Sequence, residues 1–295
     1  MDHELTYTYE VSYSFFRRDC QRMDRNGRYL EVAVEAAREA GRIQKRYFGS
    51  SHKVEYKGEI NPVTEVDRLC ERAISKILLH AFPDHDLLTE ESPFKKKGSP
   101  YRWIVDPMDG TTNYLHGYPC FCVSIALEIE KEVILGVIYN PILDELFISE
   151  KGKGAYFNGK KIFVSQEKDL SRSFLSTGFP YDVHEHADFY LKYFREFIIR
   201  SFAIRRPGSA ALDLSYLAAG RFDGFWELKL QPWDVAAGVL MVIEAGGRVT
   251  DFEGHPFSIY SKEILASNGW IHSQMLQTIE EAEREVTNTL RKELL

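Results

Sequence analysis

The stretch that decides the fold is Tyr101-Arg-Trp-Ile-Val-Asp-Pro-Met-Asp-Gly-Thr-Thr-Asn113. Residues 102–105 are aromatic, basic or β-branched, which predicts a buried strand. The following Asp106-Pro-Met-Asp-Gly110 segment predicts a turn, and Thr111 can begin a short helix behind it. Two carboxylates would then lie at the end of a strand, beside the free backbone N–H groups of a helix start. Metal-assisted phosphate chemistry requires cation ligands next to such an anion-binding backbone.

Asp-Pro and Asp-Gly are also ordinary turn formers, so this segment alone has a structural interpretation as well. Two other acidic stretches favour the metal site. Thr89-Glu90-Glu91-Ser92 follows the apolar pair Leu87-Leu88, and Trp233-Asp-Val-Ala-Ala-Gly238 opens a later helix. Asp234 by itself would be interpreted as a helix N-cap. Each of these three acidic segments lies at the end of a strand or the start of a helix, and together they could bind one cluster of cations.

These stretches resemble the signatures of the inositol monophosphatases, in the magnesium-dependent, lithium-sensitive phosphatase superfamily that also holds the fructose-1,6-bisphosphatases. Asp106-Pro-Met-Asp-Gly-Thr111 and Trp233-Asp-Val-Ala-Ala-Gly238 match its two signatures in order, with Glu90-Glu91 upstream. The resemblance runs from about residue 29 to about residue 271. It implies an α/β (α+β) fold, a layered α/β/α/β/α sandwich, and a homodimer.

The resemblance also implies a set of metal ligands for two or three Mg²⁺ ions per subunit. Glu90, Asp106 and the Met108 carbonyl would bind the first ion. Asp106 would bridge to a second ion, which Asp109 and Asp234 would also bind. Magnesium prefers such oxygen ligands.

Catalytic roles are implied for Glu90, Thr111 and Asp67, with Thr111 passing a proton from the attacking water to Asp67. The residue pattern alone predicts that Asp67 is an exposed helix residue. The backbone N–H groups of Gly110 and Thr111 would grip the phosphate, next to Asp109. Lys57 lies in a segment that resembles the family's mobile catalytic loop, although it could equally be a solvated lysine.

Substrate choice is implied by residues further along the chain. Glu227 matches the position that binds sugar or inositol hydroxyls, and Gly208-Ser209-Ala210 matches the loop lining that pocket. Arg205 and Arg206 are either a solvated strand end or a bidentate clamp for a second phosphate. The expected activity is hydrolysis of inositol 1-phosphate. Fructose-1,6-bisphosphate is the alternative or second substrate, and a non-catalytic interaction protein on the same fold is the competing class.

The amino-acid composition restricts the classes of partner that the protein can bind. The 295 residues are 44% hydrophobic and 27% charged, as in ordinary globular proteins. A net charge of −7 argues against nucleic acid or an anionic membrane surface as partner, whereas bound cations would still admit an anionic substrate. No apolar run approaches a membrane span and no signal-peptide core begins the chain, so we expect a cytoplasmic protein. The four cysteines, which have no zinc-type spacing, are expected to be reduced: Cys20, Cys70, Cys120 and Cys122.

Three regions are predicted: a leader over residues 1–28, expected to be poorly ordered, an α+β domain over 29–168 and an α/β domain over 169–295. Helices are predicted by apolar periodicity over 29–48, 63–81, 186–199, 209–219, 234–244 and 271–295. Alternating or apolar runs predict strands over 87–88, 121–129, 133–139, 146–149, 154–164, 174–177, 202–205, 222–226, 248–250 and 264–266. Asn158-Gly159 predicts a hairpin turn within 154–164.

Overall fold

The computed structural model describes residues 25–50, 54–56 and 62–293. Its helices are α1 (Arg25–Tyr47), α2 (Glu65–Ala81), α3 (Thr111–Leu115), α4 (Ala187–Ile198), α5 (Ala210–Ala218), α6 (Pro232–Glu244) and α7 (His272–Glu293). Its first nine strands are β1 (Val54–Tyr56), β2 (Pro62–Thr64), β3 (Asp86–Thr89), β4 (Tyr101–Asp109), β5 (Cys122–Ile129), β6 (Glu132–Asn140), β7 (Glu145–Glu150), β8 (Gly154–Phe157) and β9 (Lys160–Ile162). The others are β10 (Phe174–Thr177), β11 (Ala203–Arg205), β12 (Gly224–Leu228), β13 (Arg248–Thr250) and β14 (Glu263–Ser267).

The first large sheet has seven strands in sequence order, β3 to β9. Strand β3 is parallel to β4, and every later neighbour is antiparallel. The predicted turn between β8 and β9 is present: Asn158 and Gly159 have φ angles of 45° and 78°. In a two-residue hairpin turn whose twist matches that of the flanking strands, both central residues need this left-handed backbone conformation.

Alternate residues of this sheet face two different cores. One face carries Trp103, Val105 and Ile125 and packs against α1 and α2. Helix α1 approaches closely through a small-residue face of Ala33, Ala36, Ala37 and Ala40. The opposite face carries Ile104, Ala126 and Ile138 and packs against α5 and α6.

The second large sheet has five strands in the order β11-β10-β12-β14-β13. Strand β10 is parallel to both β11 and β12, and β14 is antiparallel to β12 and β13. Phe225 of β12 faces α5 and α6. Trp226, the next residue, faces the outer helices α4 and α7 and stacks on Phe197 with ring centroids 4.0 Å apart. Helices therefore cover both faces of both sheets, which confirms the expected α/β/α/β/α sandwich.

Some predicted bounds are wrong. Helix α1 begins at Arg25, so residues 25–28 belong to it and not to the leader, while residues 1–24 lie outside the described part of the chain. Val63, predicted in a helix, lies in β2, which pairs with β1 in a hairpin that periodicity did not predict. Lys57 also lies outside the described residues. Among the helices that the structure describes, none combines the length and apolar character needed to cross a membrane.

Candidate active site

The Asp106–Asp109 segment is strand, not the predicted turn. Strand β4 continues to Asp109, which pairs with Cys122, and the register with β5 shifts between Asp106 and Asp109. Such an irregularity re-aims side chains at the end of a strand. Oδ1 of Asp106 accepts a hydrogen bond of 2.8 Å from the Met108 N–H, which fixes the carboxylate against its own backbone.

Gly110 ends this strand with a φ of +100°. A Cβ atom here would lie 2.8 Å from the Cys120 carbonyl oxygen, so glycine is required by both backbone angle and space. Helix α3 begins at the next residue, Thr111, as predicted.

Asp109 connects the strand to a distant helix. Its Oδ2 accepts hydrogen bonds from the Ser209 hydroxyl and from the Ala211 N–H, each of 2.7 Å. Ser209 is the N-cap of α5 and also receives a hydrogen bond of 3.4 Å from the Leu212 N–H. The start of α5 is therefore held directly against the end of β4.

Asp234 is not the N-cap that its position alone suggested. Helix α6 begins at Pro232, and Asp234 occupies the third position, where its Oδ2 accepts a 2.7 Å hydrogen bond from the Gln231 N–H. The carbonyl of Trp233 accepts a hydrogen bond of 3.2 Å from the Ser124 hydroxyl of β5. This contact fastens the first turn of α6 to the seven-stranded sheet.

Glu90 follows β3 and is fixed by its backbone, since its N–H donates to the Val105 carbonyl at 3.3 Å. The next two residues are held by Glu71 of α2. Glu71 accepts hydrogen bonds from the Glu91 N–H, at 2.9 Å, and from the Ser92 hydroxyl. Glu71 is buried and was not predicted as a site residue. Its position one helical turn after Asp67 is the sequence signal that could have revealed it.

The acids influence one another electrostatically. Burial raises the pKa of Asp106 well above its usual range, and the charges of Glu90, Asp109 and Asp234 raise it further. Burial raises the pKa of Asp109 to about 6 against the opposing effect of the hydrogen bonds from Ser209 and Ala211. The pKa of Asp234 is raised by burial and then by Asp109 and Glu90. All four carboxylates therefore share one electrostatic environment, which a cation would relieve.

The donor set consists only of oxygens: four carboxylates and the Met108 carbonyl. Hard divalent cations such as Mg²⁺ take such ligands, so these residues fit the expected metal. Within residues 25–50, 54–56 and 62–293, no three His, Cys, Asp or Glu side chains are already drawn together around a single point.

Thr111 and Asp67 are in direct contact. The Thr111 hydroxyl donates a 2.9 Å hydrogen bond to Oδ1 of Asp67, and the Met108 carbonyl lies 3.1 Å from the same hydroxyl. The expectation that Asp67 is exposed is wrong, because it is fully buried. Its Oδ2 accepts from both the N–H and the hydroxyl of Thr64, the N-cap of α2, at 2.8 and 2.5 Å. Burial raises the pKa of Asp67 despite these hydrogen bonds.

A second group of candidate residues is made up of Glu227 and the two arginines Arg205 and Arg206. Glu227 of β12 is buried, and burial raises its pKa to about 8, which the charge of Arg206 opposes. A Cβ atom on Gly178 would lie 2.1 Å from Glu227 Oε1, so the carboxylate fills the space that this glycine leaves. Among the described residues, Arg206 thus acts on Glu227 through its charge. Arg205 instead stacks over the ring of Phe174, 4.8 Å from its centroid.

Sequence reasoning missed three residues near this pocket. Asp213, one turn after Ser209 in α5, is buried, and its Oδ1 has no hydrogen-bond partner among the described residues. Tyr181 is half-exposed, and the pKa of its hydroxyl is raised by burial and then by the charges of the four acids. Asn113 reaches the loop before α5. Only Asn113 gave a signal, since it stands within the first motif.

The chain is similar to known proteins over most of its length. Residues 26–285 match the model of the inositol monophosphatase family. An Aquifex aeolicus protein named fructose-1,6-bisphosphatase/inositol-1-monophosphatase is 40% identical over 257 residues, 86% of this chain and 96% of that protein. The Nus factor SuhB of Pseudomonas aeruginosa is 41% identical over 258 residues, 85% of this chain and 95% of that protein. The solved structure of an inositol monophosphatase from Anabaena matches with a TM-score of 0.80 at 40% identity, covering 88% of this chain and 97% of that one.

Proposed function

Because this chain belongs to the inositol monophosphatase family and is a phosphatase, we propose that it hydrolyses inositol 1-phosphate in a magnesium-dependent reaction. The observation that carries the proposal is the placement of Glu90, Asp106, Asp109 and Asp234 at the ends of three separate elements, where the charges of the other three acids raise the pKa of Asp106. A purely structural protein would have no reason to concentrate four negative charges in one place.

The acids would hold magnesium as the resemblance implies: Glu90, Asp106 and the Met108 carbonyl at one ion, and Asp106, Asp109 and Asp234 at a second. Bound magnesium would neutralise the anionic ester and make hydroxide available near neutral pH. The protein contributes fixed positions for its ligands. One oxygen each of Asp106, Asp109 and Asp234 is anchored by a backbone or hydroxyl donor.

Thr111 and Asp67 form the proposed proton relay. The Thr111 hydroxyl donates to Asp67, so the lone pairs of its oxygen remain able to accept a proton from an attacking water. Asp67 would take the hydroxyl proton in turn, and its raised pKa makes it a better base than an exposed aspartate. The N–H groups of Gly110 and Thr111 would bind the phosphate oxygens.

The alcohol part of the substrate would lie against Glu227 and the Gly208-Ser209-Ala210 loop. Glu227 can hydrogen-bond hydroxyl groups in either protonation state, and the charge of Arg206 acts on it. An arginine beside this pocket supports fructose-1,6-bisphosphate as a second substrate, because a guanidinium can hold the additional phosphate. The double name of the Aquifex aeolicus relative supports the same alternative.

The test is phosphate release by the purified chain from inositol 1-phosphate, fructose-1,6-bisphosphate and adenosine 3′,5′-bisphosphate, with and without magnesium. We expect the highest kcat/KM on inositol 1-phosphate, loss of activity with a chelator, recovery on adding Mg²⁺, and inhibition by lithium. Activity that survives complete removal of divalent cations would contradict the metal assignment. A higher kcat/KM on fructose-1,6-bisphosphate would make that ester the main substrate and inositol 1-phosphate the second one.

A non-catalytic interaction role is the second candidate, and the name Nus factor borne by the Pseudomonas aeruginosa relative favours it. The two roles are separable by experiment. A chain that neither releases phosphate from any of the three esters nor binds Mg²⁺ in calorimetry would be a binding protein on this fold.

We further propose a cytoplasmic homodimer. The dimer is supported by exposed apolar side chains along α4 and the loop after it, beside β11, the edge strand of the five-stranded sheet in the described part of the chain: Leu191, Ile198, Ile199 and Phe202. The location is supported by free cysteines at Cys70, Cys120 and Cys122. Light scattering after size exclusion tests the dimer, and cell fractionation tests the location.

A further inference from the structure

Asn113 lies in α3, two residues after Thr111, and the proposed reaction gives it no role. Its Nδ2 donates hydrogen bonds to three backbone carbonyls, those of Cys120 at 2.7 Å, Pro207 at 2.8 Å and Gly208 at 3.3 Å. An amide group has only two N–H bonds, so the longest contact shares a hydrogen with another. One side chain therefore fastens the segment after α3 to the loop that precedes α5.

That loop, residues 206–209 and hereafter the pocket loop, has a constrained backbone. Gly208 has a φ of +91°, a conformation that favours glycine. A Cβ atom there would lie 3.0 Å from Nη1 of Arg206 and 3.1 Å from Nδ2 of Asn113. The guanidinium and the amide thus border the same face of Gly208. The charge of Arg206 opposes the rise that burial causes in the pKa of Glu227, so the pocket loop and Glu227 belong to the same side of the site.

The pocket loop has two separate anchors. Ser209 and the following Ala211 are held by Asp109, one of the proposed metal ligands. Pro207 and Gly208 are held by Asn113. Loss of the Asn113 anchor would leave the Asp109 anchor, and with it the acids, in place, but would release the half of the loop that carries Arg206.

We propose that Asn113 is a positioning residue that makes the site selective for phosphate esters of polyhydroxylated alcohols, by holding the pocket loop beside Glu227. This inference rests on the proposed phosphatase function and assigns the recognition of the alcohol part to a residue of the metal motif. An ester without hydroxyl groups on its alcohol part has nothing for this side of the pocket to recognise, so its hydrolysis does not need the Asn113 anchor.

The experiment compares kcat and KM at saturating Mg²⁺ for inositol 1-phosphate and 4-nitrophenyl phosphate, in the wild type, Asn113→Asp and Asn113→Ala. Aspartate replaces donors with an acceptor facing three carbonyl oxygens, and alanine removes the donors without adding charge. For both variants we expect KM for inositol 1-phosphate to rise about tenfold or more, with kcat little changed. Both constants for 4-nitrophenyl phosphate should stay at the wild-type value.

The matched control is Asn158→Asp in the β8–β9 turn, where the amide donates to the Asp144 carbonyl at 3.0 Å, away from the acids. It should leave both substrates unaffected. An equal loss on both esters, no loss on either, or failure of both Asn113 variants to fold would overturn the inference. A wild-type chain inactive on both esters would instead overturn the proposed function, and the inference with it.

Discussion

The hydroxyl of Ser209 donates a 2.7 Å hydrogen bond to Oδ2 of Asp109, a residue one hundred positions earlier in the chain. Asp109 ends β4, and Ser209 caps α5. The carboxylate that we propose as a metal ligand thus also holds the start of α5 with one of its oxygens. Changes at Asp109 must therefore be designed to preserve its acceptor oxygen.

Asp109→Asn is such a change. The amide oxygen can still accept from Ser209 and Ala211, while the negative charge is lost. We expect kcat on inositol 1-phosphate to fall by at least about 100-fold. The thermal midpoint should hold or rise, since Asp109 no longer repels Glu90. Steady-state rates at saturating magnesium and a thermal melt measure both. A variant with a near wild-type rate would show that Asp109 is not a metal ligand.

The contact between Thr111 and Asp67 predicts that the reaction requires a side-chain hydroxyl at position 111. Thr111→Ala removes the proposed relay, and kcat should fall by roughly 10²–10⁴-fold. Thr111→Ser keeps the hydroxyl and should recover most of that loss. Single-turnover rates on inositol 1-phosphate distinguish the chemical step from product release. Equal rates for the alanine and serine variants would remove Thr111 from the proton path.

The positions of the acids beside strand ends and a helix start could be predicted from sequence, because apolar runs mark where these elements end or begin, whereas their roles as metal ligands come from the resemblance and stay predictions. Asp67 shows where that reasoning stops. Its local pattern is that of a polar helix residue, and its burial depends on a hydroxyl partner 44 residues away. The bulge before Asp109 is similar, since a register shift arises from pairing with β5 and leaves no mark in the strand's own composition.

Fold prediction succeeded for a related reason. Apolar and β-branched runs predict β4 to β7, which are buried on both faces, and apolar periodicity predicts the amphipathic helices α1 and α2, so the bounds of these elements are predicted within a few residues. The β1–β2 hairpin was not predicted because Val63 of β2 lies three residues before Val66 and so fits the apolar stripe of the helix that follows.

The two arginines before the pocket offer a matched pair. The charge of Arg206 acts on Glu227, whereas Arg205 stacks on Phe174. Arg206→Ala should lower kcat/KM for fructose-1,6-bisphosphate about tenfold more than for inositol 1-phosphate, because a charged hydrogen bond to the second phosphate is lost. Arg205→Ala should leave the ratio of the two constants unchanged. If Arg206→Ala also leaves it unchanged, the second-phosphate role is wrong.

The contacts of Glu71 predict that its substitution changes the magnesium requirement, although Glu71 is not itself a proposed metal ligand. Its carboxylate fixes the two residues after Glu90, and Glu71→Gln loses one of the two acceptors. The half-saturating magnesium concentration should rise about 10- to 100-fold, with kcat at saturation nearly retained. Glu65→Gln, an exposed position on the same helix, is the control. An unchanged magnesium requirement in Glu71→Gln would mean that Glu90 is held by other contacts.

His272 predicts a pH dependence of stability that is separate from the site. Its ring is fully buried between the hydroxyls of Thr250 and Ser267, at 2.9 and 2.8 Å. Burial, with a smaller effect of the Arg248 charge, lowers its pKa from 6.5 to about 4. The folded chain therefore keeps this imidazole neutral where the unfolded chain protonates it. This difference in protonation contributes about 3 kcal/mol to the free energy of unfolding. The contribution is complete above about pH 6.5 and is lost as the pH falls towards 4.

His272→Gln removes this titration while keeping an amide that can bond both hydroxyls. The difference in unfolding free energy between the wild type and the variant should shrink by about 2 kcal/mol between pH 7.5 and pH 5. Urea denaturation at the two pH values measures it, and taking the difference cancels other groups that titrate in the same range, such as His85, whose pKa is also lowered by burial. A constant difference across this range would mean that His272 titrates equally in the folded and unfolded chains, as an imidazole reached by water would.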